Sequence, residues 1–131
     1  MSWKLLDKPK TLKATKALAK QFVDMTPAPH DRPLSERRLM VYEKLLNADQ
    51  FRPVTWASAL CTETGDLYRV NGKHTSVMLS GLDKLPDFFV VVEEYECDTL
   101  EDVAKLYATF DSQMQSRTAK DIYNSFAATV P

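Results

Sequence analysis

The residues whose types and spacing could do chemistry lie together in one stretch, Arg69-Val70-Asn71-Gly72-Lys73-His74-Thr75-Ser76-Val77-Met78-Leu79. It reads as the end of a strand, a tight glycine turn and the first turns of a helix. The first N–H groups of a helix lack intrahelical partners and carry the positive end of its dipole. Gly72 lets a ligand approach the main chain. Lys73 adds a positive charge and His74 a titratable donor. A strand–glycine–helix junction with these two side chains is a candidate anion cradle. Plainer readings stay open beside it: Gly72 as a turn glycine, His74 as a helix-capping or surface histidine.

The elements that must position this turn follow from patterning. Residues 51–60 read as extended, with Pro53 at the entrance and Val54, Trp56, Ser58 and Leu60 alternating with Thr55, Ala57 and Ala59. Thr62-Glu63-Thr64-Gly65-Asp66 is a turn, and Leu67 to Val70 returns, so residues 54–70 make a hairpin. The helix after the turn runs over residues 73–80 and ends at Gly81, a suitable C′ residue. Leu85-Pro86-Asp87 breaks the chain. Phe88-Phe89-Val90-Val91-Val92 is a continuous β-rich run, which predicts burial on both faces. Asp98-Thr99-Leu100-Glu101 reads as a capping box with Asp98 as the cap. It opens a helix to Phe110 with Leu100, Val103, Ala104, Tyr107 and Phe110 as its apolar stripe. Residues 111–116 read as a polar loop, with a last helix starting near Thr118.

Upstream, the first ten residues read as an arm or edge strand. Leu12, Ala14, Ala17, Leu18 and Phe22 predict a helix over residues 11–25, with Lys13, Lys16 and Lys20 on its solvated face. Pro27, Pro29 and Pro33 then forbid helix and make a rigid connector. His30 and Asp31 sit in it, and nothing local makes them a catalytic pair. Ser35 is an N-cap, with Glu36 well placed in the first turn. This helix runs to about Ala48 with Leu39, Tyr42, Leu45 and Leu46 inward. Arg37 and Arg38 stand near its positive end, where their charge is unfavourable. They mark either a plain surface or a partner anion.

A chain of 131 residues with ordinary apolar and charged content is read as one globular domain. No run approaches the roughly 20 apolar residues of a membrane span, so no membrane partner is expected. The first residues lack the apolar core of a signal peptide. Cys61 and Cys97 make no metal or redox spacing, which predicts two buried thiols in a reducing cytoplasm. The net charge of −1 is unevenly spread: residues 1–38 hold nine Lys/Arg against four Asp/Glu, and residues 83–111 hold two against nine. Such a chain is poorly suited to tight, sequence-blind DNA binding by charge alone, although its basic part could meet a phosphate backbone. Glu93, Glu94, Glu96 and Asp98 read as a solvated acidic edge. Nuclease chemistry would need convergent carboxylates and a divalent metal, and no metal ligands are assigned.

The order of parts — hairpin, Asn-Gly-Lys-His turn into a helix, buried strand, acidic helix, Phe110-Asp111-Ser112 to Arg117-Thr118, closing helix — resembles the ParB/sulfiredoxin superfamily. The pattern is nearest to small phage and plasmid members with an Asn/Asp-Gly-Gln-His-Arg/Thr turn, and covers roughly residues 35–125. The resemblance implies an α+β fold, a small mixed sheet flanked by helices, in one domain with residues 1–34 as an N-terminal arm and helix. It implies that Asn71, Gly72, Lys73, His74 and Thr75 contact a nucleotide phosphate. It also implies that Ser112, Gln113 and Arg117 close the pocket, Arg117 alternatively pairing with the acidic helix. Two departures stand out. Thr75 replaces the arginine that usually follows the histidine. Lys73 replaces the catalytic cysteine of sulfiredoxins, which argues against their thiol chemistry. ParB proteins proper also carry a helix-turn-helix and a dimerisation domain, and residues 1–131 read as neither.

Three functions are compatible with these residues. The first is a ParB-like module holding a nucleotide, with or without Mg²⁺, or a nucleic-acid phosphate at residues 71–75. The second is a phosphate-ester enzyme on the same scaffold, an NTPase or a metal-dependent nuclease. The third is a protein-interaction module with a decayed pocket, presenting acidic residues 93–102 to a basic partner. One scaffold hosts many functions, so the fold does not choose among them.

Overall fold

The computed structural model describes residues 3–48 and 52–115. Their elements run β1 (Trp3–Leu5), β2 (Lys10–Lys13), α1 (Lys16–Asp24), β3 (Thr26–Pro27), α2 (Glu36–Asn47), β4 (Val54–Cys61), β5 (Leu67–Asn71), α3 (Lys73–Ser80), β6 (Phe89–Cys97) and α4 (Leu100–Gln115). The strands form one six-stranded mixed sheet in the order β1-β6-β4-β5-β3, with β2 also on β6. The class is therefore α+β, a mixed sheet flanked by helices.

β4 is the central strand and both of its faces are covered, so its residues are apolar or small throughout. Trp56, at 0% exposure, joins Phe22, Leu79, Phe88 and Val90 under α1 and α3. Ala57, Ala59 and Cys61 join Val70, Cys97, Val103 and Leu106 under α4 on the other face. Trp56 and Phe22 meet with ring centroids 5.3 Å apart. The β4–β5 hairpin is antiparallel and closes through Gly65 N–H to Cys61 O and Cys61 N–H to Asp66 O. β4 and β6 are parallel, so the chain crosses over between them through α3.

Several boundaries differ from the sequence reading. The helix expected over residues 11–25 begins at Lys16. Residues 10–13 instead pair with β6, Leu12 opposite Val90 and Lys13 opposite Phe89. Thr15 caps the true helix, its Oγ1 accepting from Leu18 N–H. Lys13 is thus on a strand, ion-paired to Asp87 at 2.8 Å. The proposed edge strand in the first ten residues is β1 on β6. β6 extends to Cys97 and is not buried on both faces: Val90 is fully buried while Phe89 is 47% exposed. α4 covers the Cys97 end of that face and leaves the Phe89 end open.

At α4 the cap is Thr99, not Asp98. Thr99 N–H donates to Asp102 Oδ2, and Asp102 N–H to Thr99 Oγ1, a reciprocal box one residue later than expected. The loop expected over residues 111–116 is absent up to Gln115, because α4 continues through it. No Gly or Pro interrupts that segment, and polarity alone does not stop a helix. Gly81 ends α3 with right-handed rather than left-handed dihedrals, its N–H reaching Val77 O and Met78 O. α2 is capped by Ser35 as expected, Oγ accepting from Arg38 N–H. The last helix expected from near Thr118 lies outside the described residues.

Candidate functional site

The candidate turn sits where β5 ends and α3 begins, and lines a cleft of about 680 Å³. Thr55, Asn71 and Gly72 line it. α2 contributes Arg38 and Tyr42, and α4 contributes Tyr107, Phe110 and Asp111. Lys73, His74 and Arg69 also line it, and Arg32 joins from the connector before α2.

Gly72 is required by the fold itself. Its φ of 109° is in the region that side chains avoid. A Cβ there would lie 2.5 Å from Trp56 Cδ1 and 2.9 Å from Cγ. The space a side chain would take is filled by the central tryptophan, so the glycine makes room for Trp56. Gly72 also has no side chain to cap α3, and the start of that helix faces the cleft uncapped.

The neighbours of Gly72 hold the turn in place. Asn71 Nδ2 donates to Thr55 O at 2.7 Å, tying β5 to β4. Thr75 is buried, and its Oγ1 accepts from Trp56 Nε1 at 2.7 Å. Thr75 is thus the hydrogen-bond partner of the core tryptophan.

His74 is also committed. Its Nε2 accepts from Ser35 N–H at 2.9 Å, linking α3 to the start of α2. An imidazole that accepts at Nε2 is neutral with its proton on Nδ1. Its surroundings agree: burial, then the cations Arg38 and Lys73, push its pKa down to about 4. Its Nε2 lone pair is therefore not available as a general base.

Lys73 Nζ contacts Asp31 Oδ2 at 3.0 Å and the carbonyl of Arg32. Arg69, only 5% exposed, donates from Nη1 to the Phe22 and Val23 carbonyls at the end of α1. A cation there complements the helix dipole. Its Nη2 lies 3.5 Å from Asp31 Oδ2, and its buried Nε has no hydrogen-bond partner among the described residues. Arg32 Nε bonds Asp111 Oδ2 at 3.0 Å, and Arg32 N–H donates to Tyr107 Oη. Burial raises the Tyr107 pKa, with Asp31 and Asp111 adding to the shift. The hydroxyl therefore stays protonated.

Among the described residues, the cleft is lined by four cations (Arg32, Arg38, Arg69, Lys73), one carboxylate (Asp111) and a neutral histidine, and a second carboxylate, Asp31, pairs with Lys73 and Arg69. The local balance is positive in a chain whose overall balance is −1.

Of the expected site residues, 71–75 are brought together at the cleft, each of them engaged in the fold. Ser112 and Gln113 lie in the last turns of α4 rather than in a loop, because the helix continues past Phe110. Arg117 lies outside the described residues. The acidic edge does not converge: strand alternation puts Glu93 on one face of β6 and Glu94 and Glu96 on the other. Arg69 opens the candidate stretch in the sequence but carries no assigned role there, and Asp31, Arg32 and Tyr107 fall outside the residues the sequence points to. Arg69 gave one signal, a charge inside the apolar run Tyr68 to Val70. Arg38 gave another, a cation on the wrong end of its helix. Comparison of the chain with family models, with curated proteins and with solved structures returned no match.

Proposed function

We propose that this chain is a ParB/sulfiredoxin-like module that holds the phosphate of a nucleotide or nucleic acid in the cleft at the start of α3. The observation that carries the reading is the local positive balance around an uncapped helix start, in a chain that is otherwise slightly acidic. Helix-start N–H groups supply fixed donors, and Arg38 with Lys73 supplies charge-assisted ones. Tyr42, Tyr107 and Phe110 give the cleft apolar walls against which a base or ribose can rest. His74 positions α3 against Ser35 and donates at most from Nδ1.

The reading is of binding. A thermal-shift screen with CTP, ATP, GTP and short DNA, each with and without Mg²⁺, tests it. A ligand at 100 times its Kd stabilises the fold by about 2.7 kcal/mol. A shift with at least one of these, lost in Lys73→Ala, is the expected outcome. No shift with any of them counts against the reading and favours a protein partner.

A further inference from the structure

The connector between β3 and α2 does more than join them. Residues 28–35 begin at buried Ala28 and end at the Ser35 cap. Between these points the segment is held to the cleft by polar contacts: Asp31 to Lys73 and Arg69, Arg32 N–H to Tyr107, Arg32 Nε to Asp111, and Ser35 N–H to His74. Leu34 is 39% exposed, so little apolar burial fixes the middle of the segment. His30 has a φ of 64°, a left-handed conformation that a non-glycine residue adopts at a cost. The strained residue directly precedes Asp31.

Asp31 contacts two of the cations that line the cleft. Its side chain is 12% exposed, and one oxygen, Oδ2, faces Lys73 Nζ at 3.0 Å and Arg69 Nη2 at 3.5 Å. Two cations converging on one oxygen is also how a phosphate oxygen is held. The fit to Arg69 is incomplete, since the contact is long, single and leaves the buried Nε without a hydrogen-bond partner among the described residues. A phosphate group offers three oxygens to the same pair of cations.

We infer that Asp31 is a built-in competitor for the phosphate subsite, and that a phosphate-bearing ligand binds by displacing it and swinging the segment 30–34 off the cleft. This rests on the reading of the cleft as a phosphate site. With Asp31 in place, the pair Lys73 and Arg69 is half neutralised. With Asp31 removed, both charges face the ligand. The segment therefore sets a threshold: a weakly charged anion does not displace the carboxylate, and a polyphosphate does.

Calorimetric titration of the full chain with inorganic triphosphate at low salt tests the inference. Asp31→Asn is expected to bind at least about tenfold tighter than the wild type, and Lys73→Ala weaker. Wild-type binding with an unchanged or weakened Asp31→Asn overturns the competitor role and leaves the phosphate site standing. Binding by neither protein overturns both. The substitution strips Arg69 of a partner and could compromise folding, so hydrogen exchange on the wild type gives a second reading. The Arg32 amide, now held by Tyr107 Oη, is expected to exchange faster when triphosphate saturates the protein. Unchanged or slower exchange of that amide overturns the displacement.

Discussion

Gly72→Ala separates a glycine kept for ligand approach from one kept for the fold. The new Cβ meets Trp56 Cδ1 at 2.5 Å and Cγ at 2.9 Å. Trp56 is fully buried, and its Nε1 is fixed to Thr75 Oγ1 at 2.7 Å. The ring cannot slide away without losing that bond. Overpacking of this kind costs about 1–3 kcal/mol. Placing a side chain at φ 109° adds about 1–2 kcal/mol. Together they predict a loss of about 2–5 kcal/mol, against the 5–15 kcal/mol typical of a domain. Urea denaturation followed by tryptophan fluorescence reads it. With a slope of about 1.5–2 kcal/mol/M, the midpoint falls by about 1–3 M. A change under about 1 kcal/mol, with ligand binding lost, would refute the packing argument and return Gly72 to the role of a ligand-approach glycine.

Three further outcomes follow from the same geometry. Thr75→Val keeps the shape but removes the acceptor for Trp56 Nε1, leaving a buried donor unpaired; a loss of about 1–3 kcal/mol in the same denaturation assay is expected. His74 has a folded pKa of about 4, below its ordinary 6.5, so the unfolded chain takes up the proton first as pH falls. Its contribution is full above pH 6.5 and is lost as pH drops toward 4; the complete shift corresponds to about 3 kcal/mol, reduced to about 1–2 by screening of a partly solvated ring. Stability measured across that range should flatten in His74→Gln, and an unaltered pH profile would contradict the assignment. Thr99→Ala breaks the box at the start of α4 and is expected to cost about 0.5–2 kcal/mol by thermal denaturation, whereas Asp98→Ala, one residue outside the box, should cost less.

The parts of this fold that announced themselves in the sequence are those fixed by local chemistry. The β4–β5 hairpin follows from alternation and the Thr64-Gly65-Asp66 turn. The α3 start follows from Gly72, and the α2 start from Ser35. What local patterning missed was set by distant partners. Leu12 fits a helical period as well as a strand, and pairing with Val90 decides for the strand. Phe88 to Val92 read as doubly buried, but the covering helix reaches only the other end of β6. The site divides the same way. The 71–75 turn was visible because its residues are contiguous. Asp31 and Arg69 meet only because β3 lies parallel beside β5, with Thr26 opposite Tyr68 and Pro27 opposite Arg69. No local rule connects those segments. Likewise, the plain role of Thr75 could not be read without knowing that Trp56 faces it.

If the start of α3 is the phosphate site, an amide NMR titration reads it residue by residue. Nucleotide triphosphate or inorganic triphosphate is added to isotope-labelled protein while the backbone signals are followed. The amides of Gly72, Lys73, His74 and Thr75 are expected to shift furthest and saturate together, with Arg32 following as the connector moves. Saturable shifts confined to the acidic residues of β6 and α4, with residues 72–75 unmoved, would contradict that assignment.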